Sequence, residues 1–204
     1  MVLTCLADVK DLSLLPRRPS DLANYIIWVH RTRARYGSVA TYIIQERLHW
    51  QLPAHESDAD QCISQKDSSQ RSDVPFVQPE SYRVLRNDWP YGLTEDIAHL
   101  VVWSKVWIPT DADGRPTTEA AKDIHNFVEG TFRSRLEPDT VHSGDCVVWF
   151  KNDTRWQSVK ALEHIHIFVR GASESLLDEW TGQRATDITA RRYRSEETIY
   201  AAED

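Results

Sequence analysis

Two histidines, His164 and His166, alternate with isoleucines in the run LEHIHIFVRG at residues 162–171. The β-branched content of this run predicts a strand, and residues two apart on a strand project from the same face. Both imidazoles therefore share one space, and Ile165 and Ile167 point to the other side. A neutral imidazole offers one lone pair and one N–H, which suits nucleophilic attack, proton transfer or metal ligation near neutral pH. Two of them on a buried face also need hydrogen-bond partners, because an unpaired buried polar group is costly. On a solvated face the same pair would be incidental.

The neighbouring residues favour a site. The segment VVWFKNDTRWQSV at residues 147–159 ends a strand in Asn152 and then presents Gln157 and Ser158. Two amides and a hydroxyl can hold phosphate oxygens without a net positive charge. His99 opens another apolar run, HLVVWSKVWI, at residues 99–108. Upstream, NDWPYG at residues 87–92 combines turn formers with rings. There Trp89 and Tyr91 either plug the core or stack on a base or sugar, and Asp88 is a candidate partner for a ligand hydroxyl. Lys105 and Lys151 stand at strand ends, where either can neutralise a phosphate or remain a surface lysine. The same donors admit a second use: a divalent metal at His99, His164 and His166, three nitrogens suited to zinc, copper or iron. Nothing else in the chain calls for a cofactor.

These residues have to be positioned by helices and strands. Residues 20–51 carry helical spacing, with Ser20 or Asp21 as the first cap, a break at Gly37, and a second helix from about Ser38 to Trp50. Arg31, Arg33 and Arg35 are expected on a solvated face. Residues 53–74 are polar and read as a flexible loop. Strands are expected near Val84–Asn87, 99–108, 146–152 and 162–171. A helix runs from Thr117 or Thr118 to about Arg135, burying Ala121, Ile124, Val128 and Phe132, and a last helix spans about Ser173–Trp180. This order predicts one α+β domain with an antiparallel sheet. Its parts are an N-terminal helical segment at 1–52 packed on the core, a polar flexible loop at 53–78, an α+β core at 79–182 and a polar tail at 183–204.

The bulk numbers bound the function. A chain of 204 residues with 41% hydrophobic and 27% charged residues buries a sizeable core. A formal net charge of -7 argues against a protein that coats nucleic acid, but leaves room for a small phosphate-bearing or sugar ligand in a local pocket. No apolar run reaches the roughly 18 residues of a membrane span. The first residues, broken by Asp8, Lys10 and Asp11, make a poor signal peptide. Cys5, Cys62 and Cys146 lack metal spacing and suit a reducing compartment. The expected location is cytoplasmic, with a nuclear share as the alternative.

The order of an early histidine strand, a helix, a strand ending in Asn, a Gln-Ser pair and an alternating histidine strand resembles the histidine-triad superfamily of nucleotide hydrolases and transferases, over about residues 97–171. That resemblance implies a histidine-triad-like core. His164 would be the nucleophile forming a nucleotidyl-histidine, His166 would support the phosphate, and His99 would stand behind the nucleophile. Asn152, Gln157 and Ser158 would hold phosphate, and a homodimer would be a common assembly. The chain departs from the pattern in three ways. Leu162 occupies the first triad position, the connection KALE at 160–163 is one residue longer, and Asp153, Thr154, Arg155 and Trp156 replace the loop glycines. A closer resemblance, carried by NDWPYG, DIAHLVVWSK, VVWFKN and QSVKALEHIHIFVRG, is to the fungal N-acetylglucosamine-induced protein family. It implies a fungal protein of the amino-sugar response or of a secondary-metabolic locus, and names no reaction. Three functions follow as expectations: phosphate-ester chemistry on a nucleotide or nucleotide sugar, a histidine metal enzyme, or a non-catalytic ligand-binding regulator.

Overall fold

A computed structural model describes residues 17–51, 74–137, 146–152, 159 and 162–187. Gln157, Ser158, the loop at 153–156, the first half of the KALE connection, the N-terminal sixteen residues and most of the polar loop and tail lie outside the described residues.

Helix α1 spans Pro19–Tyr36. Its start needs no side-chain cap, because Pro19 brings a preset φ and lacks the N–H that a first-turn residue would leave unpaired. Ser20 and Asp21, expected as caps, lie inside the first turn. Gly37 closes the helix at φ 78°, and its N–H bonds the Arg33 carbonyl at 2.9 Å. Arg33 and Arg35 are exposed, as expected of a solvated face, whereas Arg31 is half-buried. Ser38 then caps a short α2, Val39–Tyr42, by accepting from the Thr41 N–H at 3.0 Å. The chain continues into a π-helical stretch, Ile43–Leu48, where a regular second helix was expected. Its wider turn keeps Ile43 and Arg47 on the same side as Val39.

Four strands form one antiparallel sheet in the order β1-β2-β4-β3: β1 Tyr82–Arg86, β2 Ile97–Ser104, β3 Val147–Phe150 and β4 Glu163–Arg170. All four fall where the apolar runs predicted them; β1 and β2 each begin two residues earlier than expected, and β3 and β4 lie within the expected ranges. The central register pairs His99 with Phe168, Val101 with His166 and Trp103 with His164. Alternation then sorts the sheet into two faces. Leu100, Val102, Ile165, Ile167 and Val169 face α3, Thr118–Thr131, and α4, Glu174–Thr181.

On α3 the buried residues are Ala120, Ile124 and Val128, spaced by four, so Ala120 rather than Ala121 completes the stripe. Thr117 caps it through the Ala120 N–H at 3.3 Å. The helix ends at Thr131, and a 3-10 turn at Arg133–Arg135 replaces its expected last turn. Phe76, assigned to the polar loop by composition, is instead 4% exposed and packs into this core beside Phe127 and Tyr82. A single large ring in a polar stretch can bury itself without changing the average of that stretch. Gln183, placed at the head of the tail, is also buried, and its Oε1 accepts from the Arg86 N–H at 3.0 Å. No described helix is long and apolar enough to cross a membrane.

The opposite face of the sheet carries His99, Val101, Trp103, His164, His166 and Phe168, and the N-terminal helices roof it. Val39, Ala40, Ile43, Ile44 and Leu48 pack there on Leu85, Val101, Trp103, Val159 and Leu162. A third small cluster joins Ile97 and Phe168 to Tyr91, Leu93 and Phe150 at the sheet end.

Candidate functional site

Between the sheet and its helical roof lies a cavity of about 240 Å³. Its floor is Leu85, Val101, Trp103, His164 and His166. Its roof is Val39, Tyr42, Ile43 and Arg47 with Tyr25 and Trp28 of α1. Its sides are Arg17, the Asn87–Tyr91 turn, Asn152 and Val159.

His164 is 3% exposed, and its Nδ1 lies 2.7 Å from the Leu162 carbonyl oxygen. A carbonyl only accepts, so Nδ1 carries the proton and Nε2 holds the lone pair. Burial first, and then the charge of Lys151, drive its pKa down to about 4, partly offset by the carbonyl bond. The ring is neutral at physiological pH. Trp103 packs against it with ring centroids 4.7 Å apart.

His166 is held at both nitrogens. Asn152 Nδ2 lies 3.0 Å from its Nε2, and its Nδ1 lies 2.9 Å from His99 Nε2. Asn87 continues the chain. Its Oδ1 accepts from the Trp89 N–H at 2.9 Å, so its amide nitrogen faces the His99 ring, 3.1 Å from Nε2. Asn152 thus closes the relay at its His166 end, and the Asn87 amide nitrogen lies against the His99 ring, 3.3 Å from Nδ1 as well. Burial lowers His99 to about 3, with Arg17 adding to the shift. His166 is held well below the ordinary range by burial, then by His99, His164 and Arg17. Phe150 stacks on His166 at 4.9 Å and Tyr91 on His99 at 5.1 Å, so flat apolar faces seal the relay.

The sequence-predicted residues divide accordingly. His164, His166, Asn152, Asp88, Trp89 and Tyr91 all line the cavity. His99 does not. It stands behind His166, not behind His164, and acts on the site through that hydrogen bond. The register explains the shift, because His99 sits opposite Phe168, four positions along β2 from Trp103, the residue opposite His164. Lys105 is also outside the cavity: it is exposed, with its ammonium 5.1 Å above the Trp50 ring. Lys151 is neither a surface lysine nor a cavity cation. Its side chain is 4% exposed and pairs with Glu163 at 3.2 Å on the other side of the sheet. Gln157 and Ser158 lie outside the described residues. The three histidines do not form a metal set, since His99 and His166 direct nitrogens at each other and His164 Nδ1 faces a carbonyl. Among the described residues no group of three His, Cys, Asp or Glu could hold a metal ion.

The N-terminal helices pack on the core as expected, but sequence reasoning missed the residues they bring to the site. Arg47, 3% exposed at its side chain, grips both carboxylate oxygens of Asp88 at 3.0 Å and ties the π-helical stretch to the Asn87–Tyr91 turn. Asp88 is therefore an internal strut rather than a free ligand for a hydroxyl. Arg17 donates from Nε to the Trp89 carbonyl at 3.2 Å and lies over the Tyr25 ring at 4.1 Å. Tyr25, Trp28 and Trp89 form a continuous aromatic cluster. Helical spacing in residues 20–51 could not say which sheet face these helices cover.

Known proteins resemble this chain across most of its length. N-acetylglucosamine-induced protein 1 of Candida albicans is 29% identical over 164 residues, covering 78% of this chain and 63% of the relative. The chain thus spans less than two thirds of that relative's length. The uncharacterized protein YPL067C of Saccharomyces cerevisiae is 29% identical over 167 residues, covering 80% of this chain and 75% of the relative. The crystal structure of HTC1 superposes with a TM-score of 0.54 at 21% identity, over 97% of this chain and 92% of that one, which is a likeness of fold. A family model matches residues 3–170, which include both the helical roof and the histidine strand, and the chain belongs to that family, described as protein of unknown function (DUF3605).

Proposed function

We propose that this chain carries out phosphate-ester chemistry, a phosphoryl or nucleotidyl transfer or hydrolysis, with His164 as nucleophile. One observation carries the reading. His164 is neutral, its tautomer is set by the Leu162 carbonyl, and it lines a cavity walled by aromatic rings and a guanidinium. In the first step the Nε2 lone pair forms a bond to phosphorus as the ester P–O bond breaks. The leaving oxygen departs with that electron pair and takes a proton from solvent. The imidazolium so formed keeps its Nδ1–H on the Leu162 carbonyl, which stabilises the new positive charge. Water then cleaves the P–N bond and restores neutral His164. His166, held by Asn152 and His99, is a fixed polar neighbour of the reacting phosphate. The order of Asn152 and the histidine strand supports the histidine-triad likeness, and the nucleotides and nucleotide sugars it suggests are the first substrates to try.

The test is turnover of a nucleoside phosphoramidate, a dinucleotide, a UDP-sugar and an aryl phosphate by wild type and His164→Ala. The expected result is a loss of about 10³-fold or more in the variant with unchanged thermal melting. Absence of turnover on the whole panel, with no binding by calorimetry, overturns the proposal.

A second reading rests on Leu162. It is 1% exposed within the apolar cluster under the roof, where the triad pattern has its first histidine. A binding protein of the amino-sugar response, as the name of the Candida albicans relative suggests, would show ligand binding without turnover and no phosphohistidine.

A further inference from the structure

We infer that Arg17 is the anion-binding residue of the cavity, and that the ligand is a single-ring molecule carrying one phosphate. The inference rests on the proposed function for the place of the site and for its phosphate-ester chemistry, and puts a smaller monophosphate in place of nucleotides and nucleotide sugars.

Charge accounting singles out Arg17. Three arginines line the cavity, but two are already neutralised. Arg47 is paired with Asp88 through two hydrogen bonds. Arg86 sits on the α4 side of β1, opposite Leu100, and its guanidinium meets Glu174 at 2.8 Å and Asp178 at 2.7 Å. Arg17 has no carboxylate partner among the described residues. Its guanidinium is placed all the same: Nε is engaged by the Trp89 carbonyl, and the plane lies near the Tyr25 and Tyr91 rings, 4.1 Å and 5.4 Å from their centroids. That leaves the two terminal NH₂ groups, the fork that matches a phosphate in two parallel hydrogen bonds. Its field already reaches the back of the site, where it helps keep His99 and His166 neutral. A phosphate between Arg17 and the histidine floor would therefore meet one cation and no competing anion.

The same accounting limits the ligand. One uncompensated cation among the described cavity-lining residues suits one phosphate better than a diphosphate or a longer chain. The cavity volume of about 240 Å³ falls below the range of roughly 300–1,000 Å³ typical of pockets for drug-sized ligands. Tyr25, Trp28 and Trp89 give the cavity an aromatic wall, against which the flat face of a single ring is held by stacking.

Calorimetry on the full chain tests this with phenyl phosphate, phenol, AMP and UDP-glucose as probes. Wild type should bind phenyl phosphate at least tenfold more tightly than phenol, and more tightly than AMP or UDP-glucose. Arg17→Met should lower phenyl phosphate affinity at least tenfold and leave phenol unchanged, with Arg17→Lys between the two. No binding of phenyl phosphate, equal binding of phenol, tighter binding of AMP or UDP-glucose, or an Arg17→Met variant that binds like wild type would each overturn the inference. If Arg17→Met does not fold, the wild-type ranking of the four probes still decides. Binding retained in His164→Ala with no turnover by wild type would sink the catalytic reading and leave the anion site standing.

Discussion

The two faces of the central sheet are made by the same two strands and have opposite chemistry. Toward α3 and α4, β2 and β4 present Leu100, Val102, Ile165, Ile167 and Val169, each fully or nearly fully buried. Toward the N-terminal helices the intervening residues are His99, Val101, Trp103, His164, His166 and Phe168, and they are buried almost as deeply. The first face is held by burial of apolar surface, at about 1.5–3 kcal/mol for each large side chain. The second buries three imidazoles and an amide, whose desolvation must be offset one hydrogen bond at a time. Stability and chemistry are thus separated by the two-residue period of a strand.

That separation can be broken by mutation. The largest effect is expected from Arg47→Leu, which leaves the Asp88 carboxylate under the roof without its cation. Removing one partner of a buried pair costs about 3–5 kcal/mol, so the denaturant midpoint should fall sharply. A midpoint within error of wild type would mean that the roof does not depend on this strut. Ile167→Ala on the apolar face should cost about 2–5 kcal/mol in denaturant unfolding. It should leave phenyl phosphate binding unchanged below the transition. Loss of binding in a still-folded Ile167→Ala protein would show that the faces are coupled.

The histidine face should also betray itself through pH. His164 and His99 are lowered from 6.5 to about 4 and about 3 by burial, with a smaller contribution from nearby cations, and His166 shifts the same way. Below pH 6.5 the unfolded chain takes up protons that the folded chain refuses, so stability falls as pH drops toward those lower values. By pH 5 the loss should approach about 2 kcal/mol for each buried histidine. Urea midpoints measured from pH 7.5 to pH 5 should decline steadily, whereas a flat profile would mean the rings are solvated. The smallest effect is expected from Asn152→Ala. It removes the donor to His166 Nε2 and should cost about 1–3 kcal/mol. Freed of that donor, Nε2 can accept a proton, so the His166 titration followed by NMR should move up. No movement would show that burial alone keeps His166 neutral.

Much of the sheet was legible because its signals are local. The alternation in HIHIFV and the apolar run AHLVVW specify strands, and a period of two places His164 and His166 together with no knowledge of the rest of the chain. Thr117 and Ser173 likewise announce helix starts through bonds to residues three positions on. The π-helical stretch was not legible, since its sequence IIQERL serves equally well in an α-helix and only packing on the sheet selects the wider turn.

What the sequence by itself determined is the identity of the strands and the side on which each imidazole emerges, because both follow from backbone geometry within a few residues. Tertiary structure alone decided that His99 backs His166 instead of His164, that Asp88 is claimed by Arg47 and that Arg17 is held by the Trp89 carbonyl with no carboxylate partner among the described residues. Those contacts join positions 67, 41 and 72 residues apart, and depend on strand register and on which face the helices cover. A local pattern can specify a donor or an acceptor, but its partner is set by where the rest of the chain comes to rest.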